Sequence, residues 1–202
     1  MASRVADAAR LAREAEWLRE RSLSLGIPSI EPSDGIALYT LAFTAALLHG
    51  EGVLVDAGAG IGYSTLWIAA GVRQAGCTRC RVYAVEAESR LAREAERVLS
   101  SLESVRGVDV RVVNMDALEF LEGLREGEAI MVFLDIEKEE YPTAIRAAYE
   151  KLRTPGVLAV HNAFYPPPPP EAFEALDELG FSWSVAPTPP GLVVAWKGGK
   201  RG

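Results

Sequence analysis

Lysine is scarce in this chain, which has Lys138, Lys151, Lys197 and Lys200 against a background of arginine. Lys151 beside Glu150, and Lys197 and Lys200 near the C-terminus, read as solvated charges, whereas Lys138 has no such plain explanation. Positive charge is short overall: the formal net charge is -7 and the pI about 5.0, so no global positive field exists to hold a polyanion, and nucleic acid is disfavoured as a partner. No apolar run reaches the ~20 residues that span a bilayer. The N-terminus mixes Glu14, Glu16 and Glu20 with arginines and shows no signal-peptide core. These absences predict a soluble, cytoplasmic protein without a membrane partner. Cysteine occurs twice, as Cys77-x-x-Cys80. A structural zinc site wants four ligands and no second pair exists, so the alternatives are two free thiols, favoured by an intracellular setting, or a local disulfide. Neither alternative gives the pair a catalytic role.

With 202 residues and 49% hydrophobic content, the chain suffices for one well-buried domain and is short for two. Residues 5–21 predict a surface helix with an apolar face, and Pro28 and Pro32 break the link that follows. Ser33 or Asp34 can cap a second helix through Leu48, whose Ala, Leu and Phe content predicts that it is largely buried. Strand patterns at 53–57, 82–86, 110–114, 129–134 and 157–161 then alternate with helical patterns at 91–102, 117–124 and 141–152. Such alternation predicts right-handed crossovers and a parallel sheet covered on both faces, with ligands beyond the carboxyl ends of the strands. The run Pro166 to Pro170 predicts a stiff extended segment, followed by a helix over 171–179 and two closing strands, 181–185 and 192–196.

The segment Val53 to Ala69 is the most informative. An apolar strand ends in Asp56, Gly58, Gly60 and Gly62 alternate, and an amphipathic helix begins. Glycines at every second position permit positive φ and close approach of a ligand. A dinucleotide fingerprint needs its third glycine at the sixth position, which counted from Gly58 is Tyr63. A carboxylate at the mouth of the loop instead favours a cationic head or a hydroxyl. The other strand ends carry Glu86, Asp116, Asp135, and His161 with Asn162. A single acid at a strand end is ordinarily a turn or cap residue; five polar positions at one rim exceed what structure requires.

The form acid-x-Gly-x-Gly-x-Gly over Asp56 to Gly62 resembles motif I of the class I S-adenosylmethionine-dependent methyltransferases. The resemblance extends over roughly residues 30–197 through Asp34-Gly35, Gly62-Tyr63-Ser64, Glu86, Asp116-Ala117 and the run Phe133 to Tyr141. These look like the small O-methyltransferases related to catechol and caffeoyl-coenzyme A O-methyltransferases. The resemblance implies a Rossmann-like α/β fold, with a seven-stranded mostly parallel sheet, helices on both faces and an antiparallel last strand. It implies one methyltransferase domain over 1–202, with 1–33 as N-terminal helix and lid segment and 34–197 as core. S-adenosylmethionine is the implied cofactor, held by Asp56, Gly58, Gly60, Gly62, Ser64, Glu86, Asp116, Ala117 and Asp135. Within that set, Glu86 would accept the ribose hydroxyls, Asp116 and Ala117 would meet the adenine, and Ser64 the methionine carboxylate.

By the same resemblance Lys138, three residues after Asp135, is the general base; its alternative is a solvent-facing lysine among Glu137, Glu139 and Glu140. Metal-dependent relatives place an Asp-Asn pair where this chain has His161-Asn162. Asp135, His161 and Asn162 can still hold a divalent cation, but an imidazole in place of a carboxylate weakens the preference for Mg²⁺. His161 has two other readings, a base or substrate contact and a structural histidine. His49 reads as a partner of a helix C-terminus. The expected function is methyl transfer to a hydroxyl of a small molecule. Methylation of nitrogen or of a larger acceptor such as RNA, and cofactor binding without catalysis, are the alternatives. A homodimer is compatible with all of them.

Overall fold

Along β1 (Glu51–Ala57) successive side chains point to opposite faces of the sheet. Val53, Val55 and Ala57 enter one apolar layer, while Leu54 enters the other. Asp56 follows Leu54 in that alternation, which turns its carboxylate towards the helix that follows. In the computed structural model, which describes residues 2–198, this strand lies near the middle of a seven-stranded sheet of order β3-β2-β1-β4-β5-β7-β6. The other strands are β2 (Arg79–Glu86), β3 (Asp109–Asn114), β4 (Ala129–Leu134), β5 (Leu152–Val160), β6 (Ser182–Ala186) and β7 (Leu192–Lys197). Pairing is parallel from β3 through β5, and β7 runs antiparallel to both β5 and β6. This is the Rossmann-like arrangement expected from the sequence.

Helices α1 (Ala2–Ser24), α2 (Pro32–His49) and α3 (Tyr63–Ala75) contribute to one apolar layer, together with α4 (Ser89–Ser101). Helices α5 (Ala117–Gly123), α6 (Tyr141–Lys151) and α7 (Pro170–Glu178) cover the other face. In α1, Leu11, Ala15, Leu18 and Ser22 recur at helical spacing and are buried. None of the described helices is long and apolar enough to cross a membrane.

Several expectations need correction. The N-cap of α2 is Glu31, and Asp34 sits one turn inside, its Oδ2 accepting from the Glu31 N–H at 3.1 Å. α2 buries only one face; Ile36, Leu47 and Leu48 on the other are exposed. Cys77 and Cys80 form a disulfide across the turn that enters β2, where free thiols were favoured. Lys197 is a satisfied donor, with Nζ bonded to the carbonyls of Tyr149 at 2.7 Å and Leu152 at 2.8 Å. Lys200 lies outside the described residues. His49 turns its Nε2 to the Pro155 carbonyl at 2.7 Å.

Register places the site. Ala57, Val85, Leu134 and Val160 are paired neighbours across β1, β2, β4 and β5. The next residue of each chain segment, Gly58, Glu86, Asp135 and His161, therefore stands at the same rim. The ladder continues one step beyond the strands, through Gly58 N–H to Val85 at 3.0 Å, Asp135 N–H to Ala57 at 2.9 Å and His161 N–H to Leu134 at 3.0 Å.

The α2–α3 contact depends on Gly71, where a Cβ would collide with the Tyr39 carbonyl and come within 3.0 Å of Ala42 Cβ and the Phe43 nitrogen. Gly71→Ala is expected to cost about 1 to 3 kcal/mol by overpacking, read by denaturant unfolding. A variant as stable as the parent would show that the two helices separate freely there.

Candidate functional site

A cavity of about 780 Å³ opens at the carboxyl rim, on the switch point where β1 connects to β2 on one side and pairs with β4 on the other. Gly58, Gly60, Glu86, Asp116, Ala117, Asp135, Lys138, His161 and Asn162 all line it. The site residues predicted from sequence are thus brought together, with three exceptions, Asp56, Gly62 and Ser64.

Asp56 is fully buried beneath the glycine loop. Its Oδ2 accepts hydrogen bonds from Ser64 Oγ at 2.8 Å and from Thr65 Oγ1. Burial pushes its carboxyl up to about 7, because desolvation outweighs the two hydroxyl donors. The acid at the loop mouth is therefore a buried tie between β1 and the first turn of α3, not a surface for a cationic head. Ser64 correspondingly has its one proton directed at Asp56 and none for a carboxylate ligand.

The glycines differ in their reasons. At Gly58 (φ +90°) a Cβ would strike the Asp135 carbonyl, and at Gly62 (φ +95°) it would come within 2.9 Å of Leu99. At Gly60 the nearest atom to a Cβ is Ile27 Cγ2 at 3.7 Å, so this position is open towards the cavity. Its N–H donates to Glu86 Oε2 at 2.8 Å, and the Glu88 N–H donates to Oε1 at 2.8 Å. Glu86 is held by one backbone donor on each oxygen, and each oxygen keeps acceptor capacity.

Asp116 has a structural duty, as the N-cap of α5: Oδ1 accepts from the Leu118 and Glu119 N–H groups at 2.9 and 3.0 Å. Its Oδ2 has no hydrogen bond among the described residues. Ala117 follows, buried, at the cavity wall.

On the opposite side, four charged groups of alternating sign follow one another. Asp34, fully buried, has Oδ2 at 3.4 Å from His161 Nε2; His161 Nδ1 is 3.1 Å from Asp135 Oδ1; Lys138 Nζ is 3.6 Å from the same oxygen. Lys138 also donates to Tyr141 Oη at 2.9 Å. Burial alone would push the His161 imidazole down, but hydrogen bonds and charges from Asp135 and Asp34 outweigh it and raise it to about 9. Asn162 gives its Nδ2 to the Tyr165 carbonyl at 2.7 Å. Asp135, His161 and Asn162 do not converge as ligands would: one imidazole nitrogen is engaged by Asp135, the other faces Asp34. Among the described residues no group of three or more His, Cys, Asp and Glu side chains is arranged to hold a metal ion.

Sequence reasoning placed Asp34 at a helix start and did not see it as a neighbour of His161. Its only signal was position before a glycine in an otherwise apolar helix. Met115, Leu91 and the wall Ile27–Pro28 were likewise missed, since apolar lining carries no code of its own.

A family profile described as a methyltransferase domain matches residues 55–163. A Mycobacterium tuberculosis protein named "Probable O-methyltransferase" is 30% identical over 146 residues, covering 72% of this chain and 61% of its own length. The chain spans about three fifths of the length of the curated relatives it matches. Among solved structures, the O-methyltransferase from Bacillus cereus in complex with SAH superposes with a TM-score of 0.67 at 19% identity, over 91% of this chain and 90% of that one. The O-methyltransferase TomG from Streptomyces achromogenes, in complex with SAM, gives 0.67 at 21% identity, over 94% and 88%.

The His161 shift fixes the sign of a pH effect. An imidazole raised from 6.5 to about 9 contributes stability that is complete below pH 6.5 and lost as pH rises through about 9. Unfolding free energy is expected to fall across that window by an amount of order 3 kcal/mol, and His161→Gln should flatten it. Asp56, raised from 3.8 to about 7, acts in the lower window, so the two contributions separate in a pH series of denaturant titrations. A parent profile flat above pH 6.5 would refute the paired imidazolium.

Proposed function

Because the chain belongs to the methyltransferase domain family, we propose that it binds S-adenosylmethionine and transfers a methyl group to a hydroxyl of a small molecule. The observation that carries this reading is the cavity's cofactor end, where an open Gly60 and an oriented Glu86 carboxylate lie beside Asp116 and Ala117. When bound, S-adenosylmethionine supplies an electrophilic methyl group.

The chain's own residues have separable duties. The free acceptor sites of Glu86 suit a ribose diol, already aimed by two backbone donors. Asp116 Oδ2 suits the adenine amine, with Ala117 against the ring. Gly58 and Gly62 shape the loop through packing, and Asp56 holds its helix end. Residues 34–197 would form the catalytic core, with 1–33 as lid, since Ile27 to Glu31 close one wall of the cavity.

In line transfer rewards positioning above all, and removal of the hydroxyl proton supplies the rest. Lys138 is the residue we assign to that proton, because it lines the cavity with one carboxylate neighbour, Asp135 at 3.6 Å, whereas His161 faces a carboxylate on each nitrogen. His161 would then fix Asp135. Its engagement also leaves no imidazole lone pair for a divalent ion, and we propose that transfer needs none. A cytoplasmic setting and a homodimer, with α2's exposed Ile36, Leu47 and Leu48 as contact, fit this reading.

Three outcomes test it. Glu86→Ala should weaken S-adenosylmethionine binding by about 1.5 to 3 kcal/mol in calorimetric titration; an unchanged Kd removes Glu86 from the site. Chelator-treated protein should keep its activity on a phenol panel, whereas loss restored by Mg²⁺ would contradict the metal-free assignment. A lysine base acts only in its neutral form, so kcat/KM should rise with pH along a limb that Lys138→Met abolishes.

A further inference from the structure

Lys138 reaches the cavity on a flexible four-carbon stem with three donors at its tip, so its use as a base depends on what holds that tip. The holding begins in the backbone. Lys138–Glu140 form a single 3-10 turn that runs directly into α6, closed by the Tyr141 N–H on the Lys138 carbonyl. Side chains three residues apart eclipse one another in such a turn, which brings Lys138 and Tyr141 together. Tyr141 is fully buried in the apolar layer that also holds Leu134 and Ile145, and it does not line the cavity. A buried tyrosine ordinarily finds a partner for its hydroxyl. Here Oη lies 2.9 Å from Lys138 Nζ and 3.5 Å from the Leu134 carbonyl at the end of β4. The ring centroid is 4.8 Å from Nζ, so the oxygen and not the ring face makes the close contact. Two other groups stand near Nζ, the Ile136 carbonyl at 3.4 Å and Asp135 Oδ1 at 3.6 Å. A carbonyl and a carboxylate only accept, whereas a hydroxyl accepts and donates. Of the three, the Tyr141 hydroxyl alone can accept an N–H from the ammonium and donate to the lone pair of the neutral amine. When that lone pair turns to the cavity, the Leu134 carbonyl takes the phenolic proton. Burial pushes the hydroxyl well above its ordinary range, so it stays protonated through both states of the lysine.

We propose that Tyr141 is a positioning residue for methyl transfer: its hydroxyl holds Lys138 Nζ at the cavity wall before and after the amine takes the acceptor's proton. The inference rests on the assignment of Lys138 as base and adds to it a residue that never touches the acceptor. In the step so served, the acceptor's O–H bond breaks as an N–H bond forms on Nζ, and the acceptor oxygen bonds the methyl carbon as the S–C electron pair passes to sulfur. Without the hydroxyl the tip of Lys138 keeps only its two longer contacts, and a base displaced from the line of attack loses rate without losing ligand affinity.

The test uses the full chain and Tyr141→Phe, which keeps the ring and removes the hydroxyl. In protein carrying ¹³C-labelled lysine, the Lys138 signals are identified by their loss in Lys138→Met. The two ε-methylene protons of Lys138 should be inequivalent in the parent, as in a side chain held in one place, and should merge in Tyr141→Phe. With catechol as acceptor, kcat of Tyr141→Phe should fall about tenfold, while KM and the Kd of S-adenosylhomocysteine stay within about twofold. Merged ε-protons in the parent, inequivalence that survives in Tyr141→Phe, an unchanged kcat, or a loss carried by KM would each overturn the proposal. Full activity in Lys138→Met would instead strike the assignment of the base, and failure of S-adenosylhomocysteine to bind the parent would strike the methyltransferase reading, so the failures are distinguishable.

Discussion

The close approach of Gly58 to the Asp135 carbonyl sets the geometry of the rim. β1 and β4 are neighbours, and their chains leave the sheet together at the switch point. A side chain on residue 58 would push them apart, because the Asp135 carbonyl occupies the place of its Cβ. With that contact made, the loop lies low enough for Gly60 to donate to Glu86, and Asp135 stands where His161 and Lys138 reach it. The two ends of the cavity therefore share one backbone contact. The Asp56 tie to Ser64 and Thr65 acts just behind it, fixing where α3 begins.

The second ordering element is electrostatic. Asp34, His161, Asp135 and Lys138 alternate in sign, and each inner member has neighbours of opposite charge. Isolated, a fully buried Asp34 would be expensive; within the series its charge is opposed by the imidazolium and its Oδ2 also accepts a backbone donor. The series crosses from α2 to β5 to β4, so it joins elements far apart in the chain.

Much of this was legible in the chain's pattern. Strand–helix alternation, the glycine loop and the polar strand ends specified the architecture and the rim, because side-chain period and turn chemistry are local properties. Asp56 and Ser64 were misplaced in role, since a motif does not say which side of its own loop a carboxylate faces; the period-2 alternation from Leu54 would have said it. Asp34 and the fate of the two lysines, Lys138 and Lys197, depended on tertiary proximity. An intracellular setting favoured free thiols at Cys77 and Cys80, whereas the turn between them brings the two sulfurs within bonding distance, a tertiary fact that composition does not carry.

Helix α2 is fastened near both ends to the same strand. Near its N-terminus Asp34 faces His161, just past the end of β5, and at its C-terminus His49 bonds the Pro155 carbonyl within β5. Eighteen residues make a strut about 27 Å long, pinned at two points and packed along α3 between them. A strut so pinned does not swing as a flap. The helix therefore holds one side of the rim at a fixed distance from β5, and the start of the wall at Glu31 is set by where the strut begins.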